Sequence, residues 1–158
     1  MKKEEFLKEV SNWNNHKYLL WEALIRTKGK VVEFGSGFGS TPSLRQYCSE
    51  NNREFLTFDN NLEWCQKTNS TFVSNWDDIN LTDIDVLLID HAPGERRYID
   101  IQKYSLIAKV IVIHDSEPKA KDYMLDKIWN LFPYRINIET EGAWATLVSN
   151  FVHKEAWK

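Results

Sequence analysis

The sequence KVVEFGSGFGS, at residues 30–40, joins a short apolar strand to a turn that contains three glycines. The β-branched and aromatic residues of Lys30–Phe34 predict the strand. Glycines at alternate positions after it allow a tight turn and let a ligand lie directly against the backbone. The spacing is G-x-G-x-G and differs from the dinucleotide fingerprint G-x-G-x-x-G, whose third glycine would fall at Ser40. The alternative is a turn needed only for close packing of strand and helix.

Strands and helices alternate after this turn. The pattern predicts helices at about 41–50, 60–64, 96–107 and 119–131, and strands at 54–58, 71–73, 85–89 and 110–113, with a closing strand pair at 134–138 and 144–149. The first 28 residues look helical, with a break at Asn12–Asn15. Such alternation predicts one α/β domain over 1–158, in which a Rossmann-like doubly wound sheet has helices on both faces. The sheet would be mostly parallel with a C-terminal antiparallel hairpin strand, and the domain would consist of N-terminal helices (1–28), a core (29–150) and a tail (151–158).

The composition is that of an ordinary globular chain. The 158 residues are 42% hydrophobic with a net charge of −3, so we expect one packed domain and no nucleic-acid partner. No run of about 18 apolar residues is present, which predicts no membrane partner. The N-terminus lacks the apolar stretch of a signal peptide, and Cys48 and Cys65 lack the paired spacing of a zinc site. These features predict a cytoplasmic protein with reduced thiols.

A carboxylate follows the second predicted strand. Asp59 lies where an acidic residue accepts hydrogen bonds from the ribose hydroxyls of an adenosine ligand. An aspartate that caps a turn or a helix is the alternative. Together, the glycine turn and Asp59 predict an adenosine-type ligand at the carboxyl ends of the strands, where open α/β sheets bind their ligands.

At this point the sequence resembles the class I S-adenosylmethionine-dependent methyltransferases, over about residues 28–150. Val31–Gly39 matches the first motif of that family, and Phe58-Asp59-Asn60 matches the second. The resemblance implies that the first motif holds the methionine part of S-adenosylmethionine and that Asp59 holds the ribose. The cofactor-binding residues so implied are Glu33, Gly35, Ser36, Gly37, Phe38, Gly39, Ser40, Thr41, Asp59, Asn60, Asn75, Trp76, Asp77 and Asp90.

The stretch Ser74–Asp77 would border the adenine in this resemblance. Trp76 would cover the ring, and Asn75 or Asp77 would bond its amino group. A tryptophan that fills the core is an equally weighted alternative.

Polar side chains follow the two most apolar strands. Asp90 and His91 end one strand, and His114 and Asp115 end the next. Adjacent parallel strands would bring the two carboxylates together, and close carboxylates need a cation, a proton or a shared base. In one interpretation Asp90 and Asp115, together with His114 or Glu117, bind a divalent ion such as Mg²⁺, which activates a hydroxyl for methylation. The chain here resembles small metal-dependent O-methyltransferases, although His114-Asp115 replaces the Asp-Asn pair of the catechol type.

A second interpretation needs no metal. His91 or His114 would be the general base, tuned by a neighbouring aspartate. Polar residues that merely cap strand ends are the third possibility. The catalytic candidates are therefore Asp90, His91, His114 and Asp115.

The sequence indicates the methyl acceptor less specifically than it indicates the cofactor. Arg96 and Arg97 would clamp an anionic substrate or form a surface ion pair. We expect an oxygen of a small molecule or sugar as the methyl acceptor, and a homodimer is compatible with the absence of a cap domain. A non-catalytic S-adenosylmethionine or adenosine-binding module, an enzyme that uses another adenosine ligand, and a methyltransferase that acts on macromolecules are the rival functions.

Overall fold

The computed structural model describes residues 1–118 and 121–151, which form one seven-stranded sheet covered on both faces. The helices are α1 (Lys3–Phe6), α2 (His16–Arg26), α3 (Thr41–Glu50), α4 (Leu62–Thr68) and α5 (Arg97–Tyr104). The strands are β1 (Lys30–Phe34), β2 (Phe55–Asp59), β3 (Thr71–Phe72), β4 (Ile84–Ile89), β5 (Ala108–His114), β6 (Tyr134–Glu139) and β7 (Trp144–Ser149). Single turns of 3₁₀ helix lie at Trp76–Asp78, Gly94–Arg96, Lys121–Tyr123, Leu125–Lys127 and Trp129–Leu131.

The strand order is β3-β2-β1-β4-β5-β7-β6. All pairs from β3 to β5 are parallel, and β7 is antiparallel to both of its neighbours. The predicted fold class is therefore confirmed, including the single antiparallel strand contributed by the closing hairpin. The strand order reverses at β1 and β4, so their carboxyl ends flank the crevice in which such sheets bind ligands.

Successive side chains of the central strands point to opposite faces of the sheet and pack into two hydrophobic cores. Val31 of β1 and Val86 of β4 face α2 and α3, whereas Val32 and Leu87 face α5. All four side chains are fully buried. Strands that are buried on both faces must be apolar throughout, which explains the nearly unbroken apolar sequence of β4 and β5.

The prediction of a helix over 119–131 is wrong for its described part. Residues 121–131 form three separate turns of 3₁₀ helix, and residues 119 and 120 lie outside the described residues. Met124 takes a left-handed conformation, with φ 52°, which a continuous α-helix does not admit. Leu125 and Ile128 still bury their side chains against the α5 face of the sheet, so the apolar spacing reflects packing without a helix.

Three other helix predictions change in length. α4 spans Leu62–Thr68, longer than the predicted 60–64. α5 begins at Arg97 and ends at Tyr104, shorter than the predicted 96–107. The N-terminal helical region is confined to α1 and α2. The predicted break at Asn12–Asn15 is confirmed, because Asn12 and Asn15 bond the loop before β7: the Ala143 amide donates to the Asn12 carbonyl, and the Asn15 side chain donates to the Ala143 carbonyl.

Of the predicted tail, 151–158, residues 152–158 lie outside the described residues. Among the described residues, no helix has the length and apolar character that a membrane crossing requires.

Candidate active site

The glycine turn lies directly against the end of β4. Gly35 has φ +91°, and a Cβ at this position would lie 2.5 Å from the carbonyl carbon of Asp90. Only glycine fits, because both the backbone conformation and the contact exclude a side chain. Gly37 differs, since a Cβ there would meet no atom within 4 Å. The neighbouring Phe38 is 64% exposed, so this part of the turn is open to a ligand.

Glu33, expected to hold the methionine part of the cofactor, is fully buried and already bonded. Ser40 Oγ donates to Oε1 at 2.5 Å, and the Thr41 and Thr57 hydroxyls donate to Oε2 at 2.7 and 2.6 Å. Burial raises the pKa of Glu33 to about 7, although the three hydroxyl donors oppose the shift. Ser40 and Thr41, also predicted to bind the cofactor or cap α3, therefore connect the turn to Glu33, and neither caps the helix with its side chain.

Asp59 is 9% exposed and connects β2 to the glycine turn. Its Oδ2 accepts from the Ser36 amide at 3.0 Å, and its Oδ1 accepts from the Asn61 amide at 2.9 Å. The Trp64 indole donates to the Ser36 carbonyl at 2.5 Å, which fixes the turn from the other side. A carboxylate has about four acceptor positions, so Asp59 retains capacity for a ligand hydroxyl. Asn60 is exposed beside it.

The stretch predicted to border the adenine forms a 3₁₀ turn. The Asn75 side chain accepts from the Asp77 amide at 3.0 Å, and Asp77 pairs with Arg96 at 2.6 Å. Trp76 is 5% exposed, and its ring lies 4.4 Å from that of His91. Its indole donates to the Ala92 carbonyl at 3.0 Å. The structure thus places Trp76 in the core beneath the turn, while Asn75 and Asp77 are exposed.

Asp90, His114 and Asp115 come together at the carboxyl ends of β4 and β5, with potential ligand atoms within 4.8 Å of one another. His114 Nδ1 lies 3.1 Å from Asp90 Oδ1 and 3.3 Å from Asp115 Oδ1. His114 Nε2 lies 2.6 Å from the Trp13 carbonyl. We call these three side chains the acid–histidine cluster.

His114 holds two protons in this arrangement. Both ring nitrogens face oxygens that only accept hydrogen bonds, so both nitrogens must donate. Burial lowers the pKa of His114, but hydrogen bonds and charge from Asp115 and Asp90 outweigh burial and raise the pKa to about 10. Neither nitrogen is free to take a proton from a substrate.

Arg97 lies beneath the cluster and is 5% exposed. Its Nε donates to the His91 carbonyl at 2.8 Å, and its Nη1 donates to the His114 carbonyl at 2.9 Å. Its Nη2 donates to Asp90 Oδ1 at 3.2 Å, and Nη1 lies 3.7 Å from Asp115 Oδ2. The guanidinium therefore binds the ends of both strands. Arg97 is therefore not positioned to clamp a substrate.

This donor set does not fit a divalent metal ion. Two carboxylates and an imidazole have the right chemistry for a ligand set. However, their two negative charges are already matched by the Arg97 guanidinium and by the doubly protonated His114. A metal would have to displace the His114 proton and lie beside a fixed guanidinium, so these three side chains do not offer a free ligand set.

His91 lies on the opposite side of Asp90, in the core. It is 1% exposed, and its Nε2 lies 2.9 Å from Asp100 Oδ2. Arg96 also binds Asp100, through Nε at 2.9 Å and Nη2 at 2.8 Å. Burial lowers the pKa of His91 despite the Asp100 carboxylate. Arg96 and His91 thus form a buried network that supports the loop after β4.

His16 is a site residue that the sequence did not reveal. Its ring packs edge-on against that of His114 with centroids 4.4 Å apart, and it is 3% exposed. Neither ring nitrogen has a hydrogen-bond partner among the described residues. Burial, reinforced by the charge of His114, lowers its pKa to about 3. Buried polar atoms are nearly always bonded in native proteins, so His16 marks a place for a ligand or water.

Two cavities of about 430 Å³ open near this edge. One lies between α3 and α4, and its lining includes Gly37 and Phe38 of the glycine turn. The other begins at Ser116, immediately after Asp115, and extends to Trp129 and Arg135. Neither lining contains a residue of the acid–histidine cluster, but the second cavity includes Ser116, the residue that follows Asp115.

Comparisons with known proteins give structural neighbours only. No protein-family model and no curated protein matches the chain. Cofactor-bound Rv0187 from MTB is 18% identical with a TM-score of 0.63, over 94% of this chain and 85% of that one. The C-terminal domain of precorrin-6Y C5,15-methyltransferase from Rhodobacter capsulatus is 12% identical with a TM-score of 0.55, over 94% and 95%.

A third neighbour is the hMettl16 catalytic domain in complex with the MAT2A 3'UTR hairpin 1, 10% identical with a TM-score of 0.57, over 87% of this chain and 69% of that one. Identities this low show the architecture and leave the activity to the residues of the site. The chain therefore has the α/β Rossmann-like methyltransferase fold.

Proposed function

We propose that this protein transfers a methyl group from S-adenosylmethionine to an oxygen of a small molecule. The contact between Gly35 and the backbone of Asp90 carries the proposal. A ligand bound along the glycine turn would lie next to the Asp90 carboxylate. Methyl transfer requires this proximity between the methyl donor and a catalytic group.

The glycine turn supports the choice of cofactor. The space beside the Cα of Gly37 is open, although its amide and carbonyl both bond Thr41. Asp59 lies next to the turn and has a remaining acceptor position. S-adenosylmethionine supplies an electrophilic methyl group when it is bound. The buried Glu33 maintains the shape of the turn through its three hydroxyl partners, so its role in binding is indirect.

Asp90 is the base that this geometry favours. Its Oδ1 is held by Arg97 and His114, whereas its Oδ2 makes no hydrogen bond with the described residues. The side chain is 27% exposed, in contrast to the buried His91. Asp90 Oδ2 would take the proton of the acceptor hydroxyl as the oxygen–methyl bond forms and the sulfur–methyl bond breaks.

The cavity after Asp115 is the acceptor site that we propose. Its volume of about 430 Å³ is within the usual range for small-molecule sites. Its lining combines two acidic residues, Glu117 and Asp126, with Arg135, whose guanidinium lies 3.8 Å above the ring of Trp129. Such a lining suits a polar acceptor, such as a sugar or an amino-acid-like molecule, better than an apolar one.

Titration calorimetry with S-adenosylmethionine and S-adenosylhomocysteine tests the cofactor, with NAD as the control. We expect micromolar binding of the first two ligands and no binding of NAD. Asp90→Asn should keep this affinity and abolish methyl transfer, whereas the exposed Asp78→Asn should change neither. If S-adenosylmethionine binds but Asp90→Asn keeps full methyl-transfer activity, Asp90 is not the base. No binding of either sulfur ligand would overturn the proposed function.

The salt dependence of acceptor binding separates a small molecule from RNA, the partner of the hMettl16 structure. A net charge of −3 disfavours nucleic acid. A steep loss of activity between 50 and 200 mM salt, roughly the range in which phosphate contacts weaken, would favour RNA instead.

A further inference from the structure

Arg97 lies beside the acid–histidine cluster and carries a charge that no proton exchange can remove, because a guanidinium stays charged throughout the working pH range. It contacts Asp90 Oδ1 at 3.2 Å and lies 3.7 Å from Asp115 Oδ2. The two aspartates come from different strands, so a single positive charge bridges β4 and β5. A divalent cation held by both carboxylates would have to share them with this guanidinium.

The guanidinium cannot withdraw to admit a metal ion. It donates to the backbone carbonyls of His91 and His114, and moving it would leave both carbonyls without these partners. The face of the Tyr123 ring lies 4.4 Å from the guanidinium carbon and closes the remaining side. Arg97 is 5% exposed, so the guanidinium is held by these protein groups and has little contact with solvent.

The guanidinium already offsets part of the negative charge of the two carboxylates. Asp90 and Asp115 contribute two negative charges, and Arg97 lies beside both of them with a permanent positive charge. A divalent ion would therefore lie next to a cation that cannot lose its charge. Metal-binding carboxylates usually provide uncompensated negative charge, whereas both carboxylates here share a guanidinium.

From these contacts, we infer that Arg97 takes the place of a divalent cation in the acid–histidine cluster, so that the cluster binds no metal while Arg97 is present. Arg97 is a positioning residue. It orients Asp90 by holding Oδ1, and it keeps Oδ2 directed away from the arginine and available. Whether the cluster binds a metal does not depend on whether the protein transfers a methyl group.

Electron paramagnetic resonance of added Mn²⁺ tests the inference directly. The signal of free Mn²⁺ should be unchanged by the wild-type protein at about 1 mM metal. Arg97→Met removes the bridging charge and should bind Mn²⁺ and reduce the free signal, because two carboxylates lose their partner. A folded Arg97→Met that leaves the signal unchanged would overturn the inference. The double variant Arg97→Met/Asp90→Asn should lose this gain.

Two further variants serve as controls for the effect of Arg97→Met on Mn²⁺ binding. Arg96→Met makes the same change one residue away, at an arginine that pairs with Asp77 and Asp100, and should gain no Mn²⁺ binding. Arg97→Lys retains the charge and should also bind no Mn²⁺. Stoichiometric Mn²⁺ binding by the wild type, lost in Asp90→Asn, would overturn the inference even if Arg97→Met does not fold. Calorimetry with S-adenosylhomocysteine should give the same affinity in EDTA and in Mg²⁺.

Discussion

The hydroxyl of Thr57 on β2 donates a hydrogen bond to the carboxylate of Glu33 on β1, across neighbouring strands and at 2.6 Å. Both residues are buried, and Glu33 has no contact with solvent. This bond connects the sheet to a carboxylate whose other partners lie in the glycine turn and at the start of α3. The charge state of Glu33 therefore affects the stability of the whole cofactor-side edge.

Glu33 should make the protein less stable as the pH rises. Its pKa is about 7 in the folded protein, whereas the ordinary glutamate pKa of 4.5 applies to the unfolded chain. The folded state thus binds the proton more tightly, and its contribution is complete below pH 4.5 and lost by about pH 7. At 1.36 kcal/mol per pKa unit, the loss is about 3 kcal/mol.

Urea unfolding of the wild type and of Glu33→Gln, at pH 4.5 and pH 8, measures this effect. The difference in free energy of unfolding between the two proteins should change by about 3 kcal/mol over this interval. Subtraction removes the contributions of other titrating groups. Parallel pH curves for the two proteins would refute the shifted pKa.

Gly35→Ala should prevent folding or lower the melting temperature strongly. The added Cβ would lie 2.5 Å from the Asp90 carbonyl carbon, and φ +91° disfavours any L side chain. Gly37→Ala is the matched variant, because its Cβ meets nothing within 4 Å. It should keep the wild-type melting temperature and weaken S-adenosylhomocysteine binding at least tenfold. Unchanged affinity would show that no ligand approaches the turn at Gly37.

Asp59→Asn should weaken the binding of S-adenosylhomocysteine by at least tenfold, about 1.4 kcal/mol. The amide oxygen can still accept from one backbone amide, whereas the amide nitrogen cannot accept from a ribose hydroxyl. The control is Asp78→Asn, at an exposed position of the 3₁₀ turn. Calorimetry that gives equal affinity for Asp59→Asn and the wild type would remove Asp59 from the cofactor site.

His16→Leu should leave the melting temperature unchanged or raise it. The substitution removes two buried nitrogens that have no partner among the described residues. Methyl transfer should fall at least tenfold if a ligand or an ordered water uses these nitrogens, and His16→Gln should recover part of the activity. A melting temperature lowered by more than about 5 °C would show that His16 has a structural role instead.

The strand ends could be predicted from the sequence, because apolar runs such as Ile84–Ile89 stop sharply at a polar residue. Topology then brings Asp90 and Asp115 together without further information. The helix at 119–131 could not be excluded in this way. Leu125 and Ile128 are spaced as in a helix. No sequence signal predicts the left-handed backbone conformation of Met124.

The partners of the site residues were harder to predict. Arg97 looks like a surface charge in the sequence, and its burial follows from two carbonyl groups that only the folded loops bring within reach. His16 is distant from His114 along the chain, and a single histidine at a helix start carries no signal of its own. The three hydroxyls around Glu33 come from two separate segments, so their convergence depends on tertiary packing.

The loop before β7 has a consequence for synthesis of the chain. Asn12 and Asn15 bond Ala143, and Trp13 bonds His114, so the segment over the carboxyl edge has its partners far along the sequence. A nascent chain reaches Ala143 only after every other part of the sheet edge has emerged. His16 and the acid–histidine cluster are therefore enclosed only once the loop before β7 has been synthesised, and a polypeptide that stops short of β7 has an open site.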